Sequence, residues 1–547
     1  MAIFSFTNIA VSLLSLYFAR RIYWESTTGT RRRALAKQHG CLPAKQRLNR
    51  VLPNFLPDML GIDMIISQYR AYKAHRMLEQ EANDLRSAGA HTIQTSALGL
   101  NVFITDDPEN VKALLATNFE VWSLGQSRIK RMSSYLGHGI FTNEGKAWKC
   151  SREMLRPCFE RSAVADVSIF KKHTERLIGL LPLDGSEVDL QPLFHELTLD
   201  VATEFLFGRS TNSLGEGGGE DEGVKAENIK KWGFLGALLP DKKKKRSIKI
   251  IQDFIDKVID EELCLHEEEK KNKKDTQRYI FLHELVTATQ DRTVIRNELL
   301  NILLAGRDTT ASLLSNLVWE LSRQPTVLAR LREEVDSVVG TSTTNENNNS
   351  NSDEDAGIHD IKNDHEHEHE HESDMDPPTP TYAQLKELKY LRAIINESQR
   401  LYPVVPANGR EALHDTILPH GGGGGGGSGG DGGGNTPLFI PKASYVQYNT
   451  YSMHRRASLF GPDPETFRPE RWLNNDSNDH QPLRPGWAYI PFSGGPRSCL
   501  GQNFALTEAM FVVVRLVQKC EIERRDEGVW REKVGLTCMG LGVVGLG

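Results

Sequence analysis

The sequence is short of the features that mark several protein classes. Its seven cysteines (Cys41, Cys150, Cys158, Cys264, Cys499, Cys520 and Cys538) are odd in number, scattered, and never spaced C-x-x-C. That argues against a disulfide framework or a cysteine zinc module and fits a reducing compartment. Positive charge is not in excess, since 66 Lys and Arg against 72 Asp and Glu leave a net charge of -6. Nucleic acid is therefore not expected as a partner. Long apolar runs are also scarce. The one at the start, residues 2–18, is diluted by Ser, Thr and Asn. As a helix it would span about 26 Å, slightly short of a bilayer core. The glycine-rich stretch 420–435 lacks a Gly-Lys-Ser/Thr, which argues against a phosphate-binding loop.

The chain has 547 residues, 39% hydrophobic and 25% charged, a globular composition diluted by polar insertions. Residues 1–24 read as an N-terminal membrane anchor and its flank. Tyr17, Tyr23 and Trp24 suit an interface, and Arg20, Arg21 and Arg31 to Arg33 follow the apolar run. The positive-inside rule then leaves the bulk of the chain cytosolic. A cleaved signal peptide would want a basic start, which is missing. A loosely amphipathic helix lying on a membrane is the other reading. Residues 25–63, with Pro53 and Pro57, read as a linker, and 64–547 as one catalytic domain. Within it, 341–381 and 420–435 are low-complexity insertions. The first alternates His and Glu from His365 to His371, which could bind a divalent metal, but nothing apolar anchors it and a solvated loop is the simpler reading.

The patterning predicts helices over 64–88, 107–117, from Gly145 onward, 247–265, 298–321, 382–401 and 503–517. It predicts a hairpin over 92–105 and room for a strand pair in the tail 535–547. Residues 211–223 read as a flexible loop. The basic run Lys242 to Arg246 reads as a solvated loop face, and beside apolar 232–239 it suggests a membrane-touching lip.

Chemistry concentrates in a few places. Phe492-Ser493-Gly494-Gly495-Pro496-Arg497-Ser498-Cys499-Leu500-Gly501 puts one cysteine in a glycine-rich turn just before a helix. The helix dipole and free N–H groups there favour thiolate. The glycines let backbone approach something flat and bulky, and Arg497 is placed to meet an anion. An inert buried cysteine is the competing reading. The apolar helix 298–321 breaks its own pattern at Ala305-Gly306-Arg307-Asp308-Thr309-Thr310. Such a break is expected at a functional site, although a kink with a back-bonded threonine would also produce it. Trp148 and Arg152 share a helix face, as do Glu397 and Arg400. Arg410 follows the extended stretch set by Pro403 and Pro406.

The spacing Phe-x-x-Gly-x-Arg-x-Cys-x-Gly resembles the haem-binding loop of the cytochromes P-450, the haem-thiolate monooxygenases. That resemblance implies a mainly α fold with a small β region, the cytochrome P-450 fold. It implies haem b with Cys499 as the axial thiolate of the iron. Phe492, Arg497, Trp148, Arg152 and Arg410 would then bind the cofactor, the arginines and Trp148 at its propionates. Asp308 and Thr309 would be the acid–threonine pair that supplies protons for dioxygen (O2) activation. Glu397, Arg400 and Arg471 would form a buried scaffold triad. Passages 107–114, 136–141, 154–159, 304–310 and 405–410 look like the fungal n-alkane and fatty-acid hydroxylase branch. The branch implies a single-pass protein of the endoplasmic reticulum membrane, facing the cytosol, fed by an NADPH-dependent flavoprotein reductase. Its reaction is hydroxylation of a lipophilic small-molecule substrate, a long-chain alkane or fatty acid, at or near the terminal carbon. The biased insertions and the short, glycine-rich stretch 206–242 depart from that pattern. They leave open another lipophilic substrate, such as a secondary metabolite or xenobiotic. A haem-thiolate isomerase or peroxygenase and a non-catalytic haem sensor are the remaining alternatives.

Overall fold

A computed structural model describes residues 2–48, 51, 61–160, 165–215, 242–272, 281–341, 376–423, 435–474, 482–524, 528–535 and 537–541. Most of both insertions, the apolar stretch 232–239 and residues 49–50 and 52–60 of the linker lie outside the described residues.

Helices α1 (Ala2–Trp24) and α2 (Thr30–Gln38) join through the π-turn Glu25–Gly29. The helix expected over 2–18 is thus longer than its apolar run. Its polar residues and its two arginines keep its hydropathy low, and no helix among the described residues is long and apolar enough to cross a membrane.

Next come α3 (Ile62–Lys73), α4 (Met77–Ala88), α5 (Pro108–Lys112), α6 (Gln126–Leu136) and α7 (Gly145–Leu155). The middle of the chain supplies α8 (Ser168–Ile178), α9 (Leu190–Phe207), α10 (Lys242–Asn272), α11 (Phe281–Ala288), α12 (Arg292–Leu321) and α13 (Pro325–Val339). The last part supplies α14 (Tyr382–Glu387), α15 (Lys389–Leu401), the short α16 (Thr450–Met453) and α17 (Ala457–Phe460), and α18 (Gln502–Lys519).

The main sheet has six strands in the order β1 (Lys45–Gln46), β2 (Thr92–Ala97), β3 (Leu100–Thr105), β8 (Tyr445–Asn449), β5 (Ala407–Ala412) and β4 (Trp122–Ser123). The expected hairpin is β2–β3, antiparallel, with Thr92 opposite Thr105. Two-stranded pairs form from β6 (Thr416–Gly422) with β7 (Thr436–Ile440), and from β9 (Arg531–Val534) with β10 (Cys538–Leu541). The last is the strand pair expected in the tail.

Two expected helices are each broken in two, for the same reason. The segment 64–88 breaks at His75, which takes a left-handed φ of 55°. The carboxylate of Glu532, on β9, accepts the Leu78 N–H at 3.0 Å and so caps the start of α4 from another part of the chain. Likewise Glu334 on α13 accepts the Tyr390 and Leu391 N–H groups at 2.7 and 2.9 Å, opening α15 after a break at Leu388. The free N–H groups of a helix start need such acceptors, and here tertiary contacts supply them.

Three further readings are corrected. Lys242 to Arg246 begin α10 rather than forming a loop. His420, Gly421 and Gly422 belong to β6, and the His420 ring meets the Asp107 carboxylate at 3.1 Å, so this end of the glycine-rich stretch carries structure. The end of the first insertion is pinned, because buried Arg515 donates to the Pro377 carbonyl at 2.9 Å and Lys519 pairs with Asp376 at 2.7 Å.

Most helices share one apolar core, with α12 buried around most of its circumference. Behind the core lies a buried ionic knot. Arg400 grips Glu397 bidentately, Nε to Oε2 at 2.9 Å and Nη2 to Oε1 at 2.8 Å. Arg471 Nε adds 3.1 Å to Oε1, and Trp472 Nε1 donates to Oε2 at 2.9 Å. The remaining guanidinium donors reach the carbonyls of His454, Pro464, Phe460 and Asp463, and Arg471 Nη1 also pairs with the Asp463 carboxylate at 2.9 Å. The triad is a scaffold joining α15 to the turn Pro469–Trp472, as its sequence order implied.

Two predictions follow from these buried groups. Glu397→Ala strands the buried Arg400 guanidinium and leaves Arg471 only Asp463 as an ionic partner, and should cost about 3–5 kcal/mol in a denaturant or thermal melt, with loss of haem retention. The second concerns Glu508 on α18, 1% exposed, whose Oε1 has no hydrogen-bond partner among the described residues. Burial pushes its carboxyl up to about 8, against a smaller pull from the Thr310 hydroxyl. The folded state then keeps a proton that the unfolded chain loses near 4.5, so this group's stability contribution is full below that pH and falls as pH rises through about 8. Glu508→Gln should flatten the decline of Tm across that window.

Candidate active site

The cysteine loop is built by local hydrogen bonds. The Cys499 N–H donates to the Phe492 carbonyl at 3.0 Å, across the short turn Gly495–Arg497, and α18 starts three residues later. The two loop glycines serve the protein itself. A Cβ at Gly495 (φ 67°) would lie 2.0 Å from the Leu115 carbonyl oxygen, and one at Gly494 would lie 2.5 Å from the Trp487 ring. The flat, bulky neighbour of Gly494 is therefore an indole, and Gly501, with Phe159 at 3.6 Å, is under no such pressure. Phe492 packs against the helical core.

Cys499 keeps open side-chain surface although protein surrounds it closely enough to desolvate the thiol. Both hold if the open side faces an internal cleft rather than bulk water. Burial raises its pKa, while the Gly501 N–H and the Arg152 charge pull the other way. Arg152 is held on the same loop, donating to the Ser498 carbonyl at 2.8 Å and to its hydroxyl at 3.2 Å.

Around this loop the fold gathers positive charge. The Arg497 guanidinium lies 4.4 Å above the Trp148 ring and donates to the Asn143 carbonyl at 2.9 Å. Arg410, 4% exposed on β5, donates to the Gly409 carbonyl at 2.8 Å. Arg128, on α6, donates to Asn408 Oδ1 at 2.7 Å. The pKa of Arg497 falls to about 10, first through burial and next through the nearby charge of Arg410, with Arg128 and Arg152 adding to it and Glu144 opposing. Burial, then Arg410, lowers Arg128 as well. Among the described residues no carboxylate lies within ion-pair distance of Arg128, Arg152, Arg410 or Arg497. Clustered cations at low dielectric repel unless an anion joins them. The two propionates of a haem whose iron faces Cys499 are anions of that kind, so the donor set fits the cofactor. Arg128 was not apparent from the sequence. It belongs to no motif, and only the meeting of α6 with β5 sets it beside Arg410.

On α12 the pattern break has a definite geometry. Thr309 Oγ1 donates to the Ala305 carbonyl at 2.7 Å, so the back-bonded threonine weighed as an alternative is present. That bond leaves the hydroxyl oxygen free to accept a further proton. Asp308 carries Arg307 Nη1 at 3.1 Å, with a side chain 23% exposed. Burial raises its pKa and Arg307 counters. Burial lowers the pKa of Arg307, and Asp308 and Glu196 counter. An acid raised toward neutrality beside a free hydroxyl oxygen can hold and pass a proton.

Comparison with known proteins shows the family. The Cytochrome P450 family profile matches residues 62–352 and 362–538. The chain is 36% identical to Cytochrome P450 monooxygenase himC of Aspergillus japonicus, over 98% of this chain and 87% of that protein. It is 34% identical to Cytochrome P450 monooxygenase FPY7 of Fusarium mangiferae, over 97% of this chain and 94% of the relative. It is 40% identical to Cytochrome P450 52A4 of Candida maltosa, over 80% of this chain and 77% of that protein. With a cysteine loop, a cationic cluster and an acid–threonine break in family order, the chain belongs to the cytochrome P450 family, as a haem monooxygenase whose iron takes a cysteine thiolate.

Proposed function

We propose that this protein hydroxylates a long aliphatic chain, an n-alkane or fatty acid, at or near its terminal carbon. The likeness of passages 136–141, 304–310 and 405–410 to the alkane and fatty-acid hydroxylase branch carries this reading. The 40% identity to Cytochrome P450 52A4 supports it. One atom of O2 enters the substrate and the other leaves as water, with two protons from solvent and two electrons. An NADPH-dependent flavoprotein reductase is the proposed electron source. The proposed location is the endoplasmic reticulum membrane, with α1 as the membrane contact and the catalytic domain in the cytosol.

The haem, when bound, supplies dioxygen activation and C–H cleavage. The chain supplies the rest. Cys499 would ligate the iron, and Arg128, Arg410 and Arg497, with Trp148 and Arg152, would hold the propionates and so orient the cofactor, while Phe492 packs beside the loop. Asp308 holds a proton at its carboxyl, and the Thr309 hydroxyl passes it toward the oxygen-binding face.

Two experiments test this. Cys499→Ala should lose the thiolate-type band in the carbon monoxide difference spectrum of the reduced protein. Persistence of that band would remove the ligand assignment. Reconstituted enzyme with reductase, offered alkanes and fatty acids of graded length, should yield terminal or near-terminal alcohols. An absence of such products from every chain would refute the substrate class. In the same assay Thr309→Ala should keep haem and NADPH oxidation, raise peroxide, and lower product per NADPH by roughly ten-fold or more. An unchanged ratio would take the hydroxyl out of the proton path.

A further inference from the structure

The helix pair α9 and α12 meets where α12 breaks its pattern. Thr198 Oγ1, on α9, donates to the Arg307 carbonyl at 2.8 Å. A methyl added at Gly306 would sit 3.4 Å from the Ala202 Cβ. His195, Thr198 and Ala202 stand at i, i+3 and i+7 and share one face of α9. That face lies against residues 306–308. His195 Nδ1 comes within 3.7 Å of Asp308 Oδ1, the same oxygen that Arg307 Nη1 holds at 3.1 Å. Both side chains are largely buried, His195 at 14% exposure and Asp308 at 23%.

We propose that His195 is a positioning residue for Asp308, holding its carboxyl from the α9 side and returning a proton to it in each turnover. The inference rests on the proton role given to Asp308 above. Once Asp308 has passed its proton to the Thr309 side, its carboxylate stays beside the Arg307 guanidinium. That charge favours the carboxylate and slows its reprotonation. His195 offers the remedy. Its imidazolium gives the Nδ1 proton to Oδ1, and the bare Nδ1 takes a proton back from water once the ring has turned to present that nitrogen to solvent. Only N–H and O–H bonds change, and the net proton comes from solvent. Histidine suits the task because it exchanges a proton near neutral pH. The 3.7 Å separation is too long for a hydrogen bond, but one water or a small side-chain rotation spans it. The charged groups facing Asp308 are Arg307, on its own helix, and His195, on α9. Glu196, the next residue on α9, acts on Arg307.

The test uses the haem-loaded protein with reductase and four variants: His195→Leu, His195→Asn, Asp308→Asn and the double variant Asp308→Asn with His195→Leu. Asn keeps an N–H donor at the Nδ1 position and Leu removes it. His195→Leu should lower product per NADPH by roughly ten-fold, the scale of a lost supporting partner, and His195→Asn, which keeps a donor but exchanges no proton, should leave that ratio low. The double variant should be no worse than Asp308→Asn alone, because His195 acts through that carboxylate. In the carbon monoxide complex, the infrared C–O stretch should shift in His195→Leu and stay near wild type in His195→Asn. If His195→Leu does not accumulate, His195→Gln, whose donor sits at the Nε2 position instead, replaces it with the same expected loss. Wild-type coupling in His195→Leu with a damaged Asp308→Asn overturns this proposal alone. Wild-type coupling in Asp308→Asn overturns the proton role of Asp308 and this proposal with it.

Discussion

Two groups of buried arginines organise the protein, and they differ in which anion neutralises them. Arg400 and Arg471 close on Glu397, and their remaining donors end on backbone carbonyls and the Asp463 carboxylate. That knot is complete without a ligand and fixes α15 against the turn Pro469–Trp472. Arg128, Arg410 and Arg497 meet carbonyls and an amide oxygen, and their charges press on one another. A buried charge needs a partner of opposite sign, or it costs stability. The first group is therefore scaffold, and the second has unneutralised charge that we propose the cofactor's propionates meet.

The cysteine loop and α12 are each held by packing that leaves little freedom. Gly494 and Gly495 lie against Trp487 and the Leu115 backbone, so the loop is fixed by protein contacts before any cofactor is considered. On α12, a helix otherwise built for burial carries Arg307, Asp308 and Thr309 in succession. Thr309 spends its hydroxyl proton on the Ala305 carbonyl. Asp308 is shared between Arg307 and the neighbourhood of His195. Polar groups in such a place cost free energy unless a function needs them.

Much of the site was legible in the sequence because its parts are local. Cys499 and Arg497 sit in one ten-residue loop, Trp148 and Arg152 on one helix turn, Glu397 and Arg400 on another, Asp308 and Thr309 side by side. Spacing alone puts the two helix pairs each on a common face, and adjacency marks the other two. Arg128, His195 and Glu508 were not legible. Each gains its meaning from a residue on another element: Arg410, Asp308 and Thr310 respectively.

The sequence by itself determined the long apolar helices, the β2–β3 hairpin, the cysteine loop and the Glu397–Arg400 pair. Periodicity, turn residues and short spacings act within a few residues of chain. Only the tertiary structure decided where helices stop and what the buried charges face. Glu532 opens α4 from the far end of the chain, and Glu334 opens α15 from α13. No local breaker marks either place, because a helix start can be capped by any carboxylate that the fold brings within hydrogen-bonding distance. The same holds for the loop glycines. Their presence was plain from the sequence, but packing alone gave Gly494 an indole and Gly495 a backbone carbonyl as neighbours.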